Sequence, residues 1–321
     1  MEIKDIKVIT EKIKENIQKV IVGKDEVVDL IMVSILCSGH ILLEDVPGLG
    51  KTMIANSLAK SVDSNFKRIQ FTPDLLPSDL TGIYYYNQKS GEFQFKKGPI
   101  ISQIILADEI NRATPRTQSS LLEVMQEHQV TVDGNTHFLE EPFFVIATQN
   151  PVETAGTFPL PEAQLDRFLM KISMGYPGLD EELKILERFK DINPITQITP
   201  VVSTKDILNL RKTFKSVYVN NDIRKYIINI VRSTREHKDI ELGISPRGSI
   251  ALFKSSQAYA AIKGRDYVIP DDIKYLVKPI LRHRIKLNSN VQVKGKSVDD
   301  ILEQILFNIT TPVEEKIERF N

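Results

Sequence analysis

The stretch that decides the fold covers residues 41–61 and reads ILLEDVPGLGKTMIANSLAKS. It opens with the apolar run Ile41-Leu42-Leu43, which predicts a short buried strand. A glycine-rich turn follows and ends at Gly50, and the residues from there to about Ser61 predict a helix. A strand, a glycine turn and a helix in this order gather backbone N–H groups and the positive end of a helix around one point. Phosphate oxygens are the ligands that such an arrangement binds.

Residues 45–52 match the phosphate-loop pattern GxxxxGK[ST] at every fixed position except the first, where Asp45 replaces glycine. In this pattern the ammonium group of Lys51 reaches the β- and γ-phosphates, and the hydroxyl of Thr52 holds Mg²⁺. The alternative is a turn of glycine and proline that binds nothing.

Two further motifs end apolar strands with polar side chains. The run at 104–109, IILADE, ends in two carboxylates, and because side chains alternate on a strand, these should point differently. Asp108 would address Mg²⁺ through its water shell, and Glu109 would act on the attacking water as general base or as the group that orients it. The run ATQNP at 147–151 places Asn150 where it could orient that water. The alternatives are a helix N-terminus with acidic residues for the first motif and an ordinary Asn-Pro turn for the second.

The rest of the chain frames these motifs. Apolar runs at 69–71, 104–106, 143–147 and 168–172 predict buried strands, and the helices between them predict a parallel sheet covered on both faces. Residues 73–99 predict an inserted loop or small hairpin, and 130–138 predict a β-hairpin around an Asp-Gly turn. We place the domain boundary at Tyr176-Pro177-Gly178, so that an α/β domain with N-terminal helices covers 1–176 and a helical domain covers 177–321.

Composition narrows the class of protein. The chain has 321 residues, 42 basic and 42 acidic, and its formal net charge is zero, which gives no overall attraction to nucleic acid. The apolar run at 27–37 is too short to span a bilayer, so an integral membrane protein is not expected. The single cysteine, Cys37, excludes an internal disulfide and fits a reducing compartment, so we expect a cytoplasmic protein.

Taken together, the motifs resemble those of the MoxR family within the AAA+ ATPases. The segments that carry the resemblance are EDVPGLGKT at 44–52, LADEINR at 106–112, ATQNP at 147–151, LPEAQLDRF at 160–168 and SPR at 245–247. The resemblance implies a P-loop AAA+ fold, with a three-layer, parallel-sheet α/β ATPase domain followed by an all-α helical lid. It also implies Mg²⁺-dependent hydrolysis of ATP to ADP and phosphate. Asp45 resembles what MoxR-like proteins carry at that position.

The resemblance implies a role for each matching residue. Asn150 corresponds to sensor 1 and Arg247 to sensor 2, while Arg167 looks like the arginine finger donated to a neighbouring subunit. Arg112 is a competing trans-acting candidate, and a surface salt bridge to Asp166 or Glu162 is the alternative for Arg167. Nucleotide contacts are expected from Val22, Gly23, Asp45, Val46, Pro47, Gly48, Leu49, Gly50, Lys51, Thr52, Met53, Asp108 and Arg247.

The family resemblance further implies a homo-oligomer, a hexameric ring, that remodels or matures a protein partner in a chaperone-like way. Such partners often carry a von Willebrand factor A domain. Three other hypotheses about the function have less support in the sequence. Neutral charge argues against a DNA-dependent AAA+ motor or loader and makes a nucleic-acid partner unexpected. A small-molecule kinase would leave Asn150, Arg167 and Arg247 unexplained, and the presence of Glu109 argues against a non-hydrolysing scaffold.

Overall fold

The computed structural model describes residues 1–46, 48–151, 156–190 and 193–312, apart from the side chain of Gln292. These residues form two compact units that divide between Thr213 and Phe214. Within the described ranges no helix is both long and apolar enough to cross a membrane.

The first unit is an α/β structure. Its elements, in chain order, are α1 (Ile3–Gln18), α2 (Asp25–Leu36), β1 (Ile41–Glu44), α3 (Lys51–Ser61), β2 (Phe66–Gln70), α4 (Pro77–Thr81), β3 (Gly82–Asn87), β4 (Glu92–Lys97), β5 (Ile104–Asp108), α5 (Pro115–Glu127), β6 (Gln129–Val132), β7 (Asn135–Phe138), β8 (Phe144–Gln149), α6 (Glu162–Leu165), β9 (Met170–Ile172), α7 (Leu179–Arg188) and α8 (Thr204–Thr213). Short 3₁₀ helices cover Ile110–Arg112 and Pro194–Gln197.

Five strands form one parallel sheet in the order β2-β5-β8-β1-β9, which confirms the predicted sheet. Its apolar strands are buried, as expected for a parallel sheet that helices cover. The register pairs Glu44 with Gln149 and Gln70 with Asp108, each at the carboxyl end of its strand. Polar side chains from four strands therefore meet at one edge of the sheet.

Two antiparallel hairpins lie where the sequence predicts an insertion and a hairpin. In the first, β3 pairs with β4, and in the second, β6 pairs with β7. Asp133 and Gly134 have φ of 50° and 81°, the positive values that a tight two-residue hairpin turn needs. The hairpins contact each other because the ring of His137 stacks on Phe95 at a centroid distance of 4.0 Å.

The compact units divide 37 residues after the boundary predicted at 176/177, because the intervening chain packs back on the first unit. The guanidinium of Arg188 on α7 donates to the carbonyl oxygens of Gln18 and Ile21. Farther along, the N–H groups of residues 201 and 202 donate to the carbonyl of Ser61, at 3.0 and 3.2 Å. A Tyr-Pro-Gly turn is a local signal, and these long-range contacts are not visible in it.

The second unit is mainly helical, as predicted. Its elements are α9 (Asn221–Glu236), β10 (Ile240–Leu242), α10 (Pro246–Ile262), α11 (Pro270–Leu281), β11 (Lys286–Leu287), α12 (Ser289–Val293) and α13 (Val298–Asn308), with 3₁₀ helices at Phe214–Ser216 and Arg282–Arg284. Antiparallel strands β10 and β11 form a small ribbon that the all-α prediction missed. Both strands are three residues or fewer, too short for a period-two pattern to show.

One histidine in the core of the first unit is held neutral. His40 is buried, its Nε2 lies 3.0 Å from the carbonyl oxygen of Met125, and its Nδ1 accepts the N–H of Val145 at 3.0 Å. Because the N–H of Val145 can only donate, the ring proton is on Nε2. Burial is the main cause that lowers the pKa of His40 from 6.5 to about 4, and the positive charge of Arg211 adds to it.

This burial predicts acid sensitivity. The folded-state pKa of His40 lies below the unfolded one, so the unfolded chain binds the proton first and stability is lost as the pH falls from 6.5 toward about 4. The free energy of unfolding should fall by about 3 kcal/mol over this range from His40 alone. Urea unfolding at several pH values should show a shallower fall for His40→Gln than for the wild type. Parallel curves for the two proteins would contradict this assignment.

Candidate active site

The loop between β1 and α3 leaves the start of the helix open. Gly48 and Gly50 have φ of 87° and 85°, and a Cβ at either position would have nothing within 4 Å. The left-handed backbone, rather than lack of space, therefore calls for glycine at these two positions. No side chain among the described residues caps the start of α3, so the N–H groups of its first turn remain available to an anion.

The open helix end lies on a polar cavity of about 250 Å³. The cavity lies between the loop and the carboxyl ends of β2, β5 and β8. The strand register aligns these ends at one edge of the sheet. Its lining consists of Gly48, Gly50, Lys51, Thr52, Met53, Arg68, Gln70, Asp108, Glu109, Thr148, Gln149 and Asn150. The residues predicted from three separate motifs are thus brought together. Pro47 lies outside the described residues, and Val46 and Leu49 do not line this cavity.

The ammonium group of Lys51 is hydrogen-bonded, partly buried and close to three carboxylates. It donates to the carbonyl oxygen of Asp45 at 2.7 Å. Partial burial lowers the pKa of Lys51, and the negative charges of Asp45, Asp108 and Glu109 act in the opposite direction. A cation in this position offers a charged partner to phosphate oxygens that enter the cavity.

Both carboxylate oxygens of Asp108 are hydrogen-bonded. Oδ1 accepts from the Thr148 hydroxyl at 2.7 Å, and Oδ2 accepts from Nε and Nη2 of Arg68 at 3.0 and 2.6 Å. The hydroxyl of Thr52 lines the same cavity. The Asp108 carboxylate and the Thr52 hydroxyl fit Mg²⁺. This ion commonly takes one or two protein ligands, and waters and substrate phosphates fill its other coordination positions. In the described ranges, no three His, Cys, Asp or Glu side chains cluster as a metal site.

Glu109 follows the last residue of β5 in a left-handed conformation, with φ 56° and ψ 50°. Such values are uncommon for a residue with a side chain, and its N–H donates to Thr148 Oγ1 at 2.8 Å. Glu109 has left the strand, so strand alternation does not decide where its side chain points. Asp108 and Glu109 line one cavity, and the reasoning from alternation is corrected on this point.

Two neighbours hold the Glu109 carboxylate. Oε2 accepts from Nε2 of Gln70 at 2.8 Å and from Nη1 of Arg112 at 3.2 Å. Arg112 therefore reaches the site of its own chain. The Glu109 side chain is 25% exposed and lines the cavity, where a water molecule could contact it.

Arg68 is the main site residue that the sequence did not single out. Its Nη2 donates both to Asp108 and, at 2.8 Å, to Oε1 of Gln70. Because arginine only donates, the Gln70 oxygen faces Arg68 and its NH₂ faces Glu109. The predicted strand began at Ile69, whereas β2 begins at Phe66. The alternation of Arg68 and Gln70 about buried Ile69 is the signal that could have revealed them.

A second, apolar cavity of about 250 Å³ adjoins the first. It is lined by Val20, Ile21, Val22, Lys24, Gly48, Leu49, Gly50, Met53, Gly175, Pro177, Ile185 and Phe189, and so shares three residues with the polar cavity. Val22 belongs to this lining, and Gly23 lies between two lining residues. The sequence did not indicate that α7 contributes a wall through Ile185. A phosphate site beside an apolar cavity suits a nucleotide, whose base and phosphates differ in polarity.

The remaining predicted residues lie elsewhere. The side chain of Asp45 is buried and does not line the polar cavity. Arg167 follows α6, is half-buried and lies outside both linings. Arg247 is exposed at the start of α10 in the second unit.

Comparison with known proteins agrees with this geometry. The family model of the ATPase family associated with various cellular activities (AAA) matches residues 40–170, and the AAA lid domain model matches residues 232–305. The uncharacterized protein YeaC of Bacillus subtilis (strain 168) is 51% identical over 308 residues, 96% of each chain. Chaperone MoxR1 of Mycobacterium tuberculosis is 39% identical over 305 residues, which are 92% of this chain and 80% of that one.

A crystal structure from Cytophaga hutchinsonii has the same fold, with a TM-score of 0.90 and 44% identity over 96% of both chains. The sequence motifs, the parallel sheet and the near full-length similarity to MoxR1 all indicate the same family. The chain belongs to the MoxR family of AAA+ ATPases.

Proposed function

We propose that this ATPase binds ATP with Mg²⁺ between residues 45–53 and the carboxyl ends of β2, β5 and β8, and hydrolyses it to ADP and phosphate. The observation that carries the proposal is the polar cavity that holds Lys51, Asp108 and Glu109 together at an open helix N-terminus. The adjoining apolar cavity, with Val22 in its wall, would take the adenine base.

We assign a task to each of these side chains. Lys51 exchanges the Asp45 carbonyl for phosphate oxygens, and Thr52 and Asp108 hold the metal, which neutralises charge on the phosphates. Glu109 accepts a proton from the attacking water or orients it, and Asn150 helps to position that water. Arg247 would contribute from the second unit as sensor 2.

For the partners we propose a homo-oligomeric ring of six subunits in which Arg167 acts on the nucleotide of a neighbour. The guanidinium of Arg112 is bonded to Glu109 of its own chain, which favours Arg167 as the trans-acting residue. The name of the relative Chaperone MoxR1 supports a chaperone-like role on a protein partner, such as one with a von Willebrand factor A domain. A cytoplasmic location stays a prediction.

Loss of the Lys51 ammonium should remove nucleotide binding. Lys51→Ala should weaken ATP binding at least about a hundredfold, the factor expected from two charge-assisted hydrogen bonds. Isothermal titration calorimetry measures this, with Lys67→Ala as the control, because Lys67 is an exposed lysine outside the polar cavity. Equal affinities for wild type and Lys51→Ala would refute the phosphate-loop assignment.

Loss of the Glu109 carboxylate should separate binding from turnover. Glu109→Gln should bind ATP normally, while the hydrolysis rate falls by about 10²–10⁴-fold, the usual contribution of a general base. Phosphate release and calorimetry on the same sample measure the two quantities. Glu127→Gln, which alters an exposed carboxylate at the end of α5, should behave as wild type. Wild-type turnover in Glu109→Gln would remove Glu109 from catalysis.

Mixing two inactive variants tests the shared site. Arg167→Ala should be inactive but keep its own Lys51, and Lys51→Ala should still donate Arg167 to a neighbour. A 1:1 mixture that reassembles at random should regain about a quarter of wild-type sites, because each working site needs one subunit of each kind in the right order. An inactive mixture, or full activity of Arg167→Ala alone, would contradict the trans-acting role of Arg167. Arg116→Ala, an exposed arginine on α5, is the matched control.

A further inference from the structure

Asp45 does not use its side chain as a phosphate-loop residue would. The residue is only 8% exposed, and its carboxylate accepts three hydrogen bonds: from Ser173 Oγ at 2.7 Å, from the N–H of Met174 at 2.5 Å and from the N–H of Gly175 at 3.3 Å. These three donors follow the last residue of β9 directly. Glycine, the residue that the general motif expects here, could make none of these bonds.

The main chain of the same residue belongs to the phosphate site. Lys51 Nζ donates to the carbonyl oxygen of Asp45 at 2.7 Å. A phosphate oxygen would offer Lys51 a charged acceptor, and hydrogen bonds between charged groups are stronger than those to a neutral carbonyl. When a phosphate occupies the loop, the Asp45 carbonyl therefore loses its hydrogen bond from Lys51. The Asp45 carboxylate stays bonded to residues 173–175.

Residues 173–175 in turn lead into the wall of the apolar cavity. The Lys24 ammonium donates to the carbonyl of Tyr176 at 3.2 Å and lies 3.9 Å from the Glu181 carboxylate, so the start of α7 is tied to the segment that carries Val22. Gly175 and Ile185 line the cavity itself. A shift of residues 173–175 would therefore reach the surface that would face the base.

From this chain of contacts we propose that Asp45 is a positioning residue, which couples phosphate binding in the loop to the placement of residues 173–189 over the apolar cavity. The coupling rests on the proposed function, since it requires residues 45–53 to bind the phosphates. The carboxylate is suited to the task because both of its oxygens accept. Asparagine would replace one acceptor with an NH₂ group that faces backbone N–H donors.

Hydrogen exchange with and without ATP separates this coupling from a purely structural role. The parent protein is Glu109→Gln, which should bind ATP and hydrolyse it only slowly. In the parent, ATP should slow exchange about tenfold both in residues 48–60 and in residues 173–189, the factor expected from one hydrogen bond to a charged group. With Asp45→Asn added, ATP should still slow exchange in 48–60, but the effect in 173–189 should vanish. A purely structural role would lower thermal stability without this selective loss.

Each other outcome has a distinct meaning. If ATP leaves residues 48–60 unchanged in the parent, the proposed nucleotide site itself fails. If it protects 48–60 but not 173–189 in the parent, the coupling is refuted while the nucleotide site stands. Retention of both effects in Asp45→Asn also refutes the coupling, since the Asp45 carboxylate would then not be needed for it. Loss of both effects refutes it as well, since Asp45 would then act on ATP binding directly.

Two more variants complete the test. Ser173→Ala removes one of the three donors and leaves the Asp45 charge in place, so it answers the question if Asp45→Asn does not fold. It should weaken the ATP effect in 173–189 and keep that in 48–60; an unchanged effect in 173–189 would count against the coupling. Asp180→Asn, which removes an exposed carboxylate in the first turn of α7, should keep both effects.

Discussion

The parallel register of β1, β5 and β8 is the constraint on which the rest of the site depends. It aligns Glu44 with Gln149 and sets Ala107 beside Ala147, so the residues just beyond these positions emerge at one edge of the sheet. The loop after β1 places the N-terminus of α3 at the same edge. A shift of one residue in any of these strands would turn its polar end residues to the opposite face and separate the cation from the carboxylates.

At that edge, one hydroxyl and one guanidinium organise the two acidic residues. Thr148 Oγ1 donates to Asp108 and accepts the N–H of Glu109, and so fixes the carboxylate of one and the left-handed backbone of the other. Arg68 binds Asp108 and orients the Gln70 amide, which then holds Glu109. The negative charges of Asp108 and Glu109 are thus partly balanced before any ligand arrives. This balance reduces the repulsion between the two carboxylates and also their repulsion of entering phosphates.

Much of this arrangement could be predicted from sequence, because its signals are local. The glycines at 48 and 50, the acids at 108 and 109 and the Asp-Gly turn at 133–134 each lie within a few residues of the pattern that defines them. Other features depend on chain segments that are far apart in the sequence. Arg68 and Asp108 are 40 positions apart, Asp45 and Ser173 are 128 apart, and α7 joins the first unit through Arg188, 167 residues or more after its partners. Hydrophobic periodicity carries no information about such pairings, which is why the Asp45 side chain, the α7 wall and the unit boundary at 213/214 were not predicted.

We expect Lys51 to exchange partners: its ammonium group is bonded to the Asp45 carbonyl until phosphates replace that carbonyl, while the Asp45 carboxylate stays bonded to residues 173–175. A crystal structure of the Glu109→Gln variant with Mg²⁺ and ATP tests this most directly. The predicted result is a triphosphate along the first turn of α3, with Lys51 Nζ within hydrogen-bond distance of a phosphate oxygen, about 2.7–2.9 Å, and no longer bonded to the Asp45 carbonyl. A triphosphate bound away from α3, or a Lys51 still bonded to Asp45 in the filled site, would contradict it.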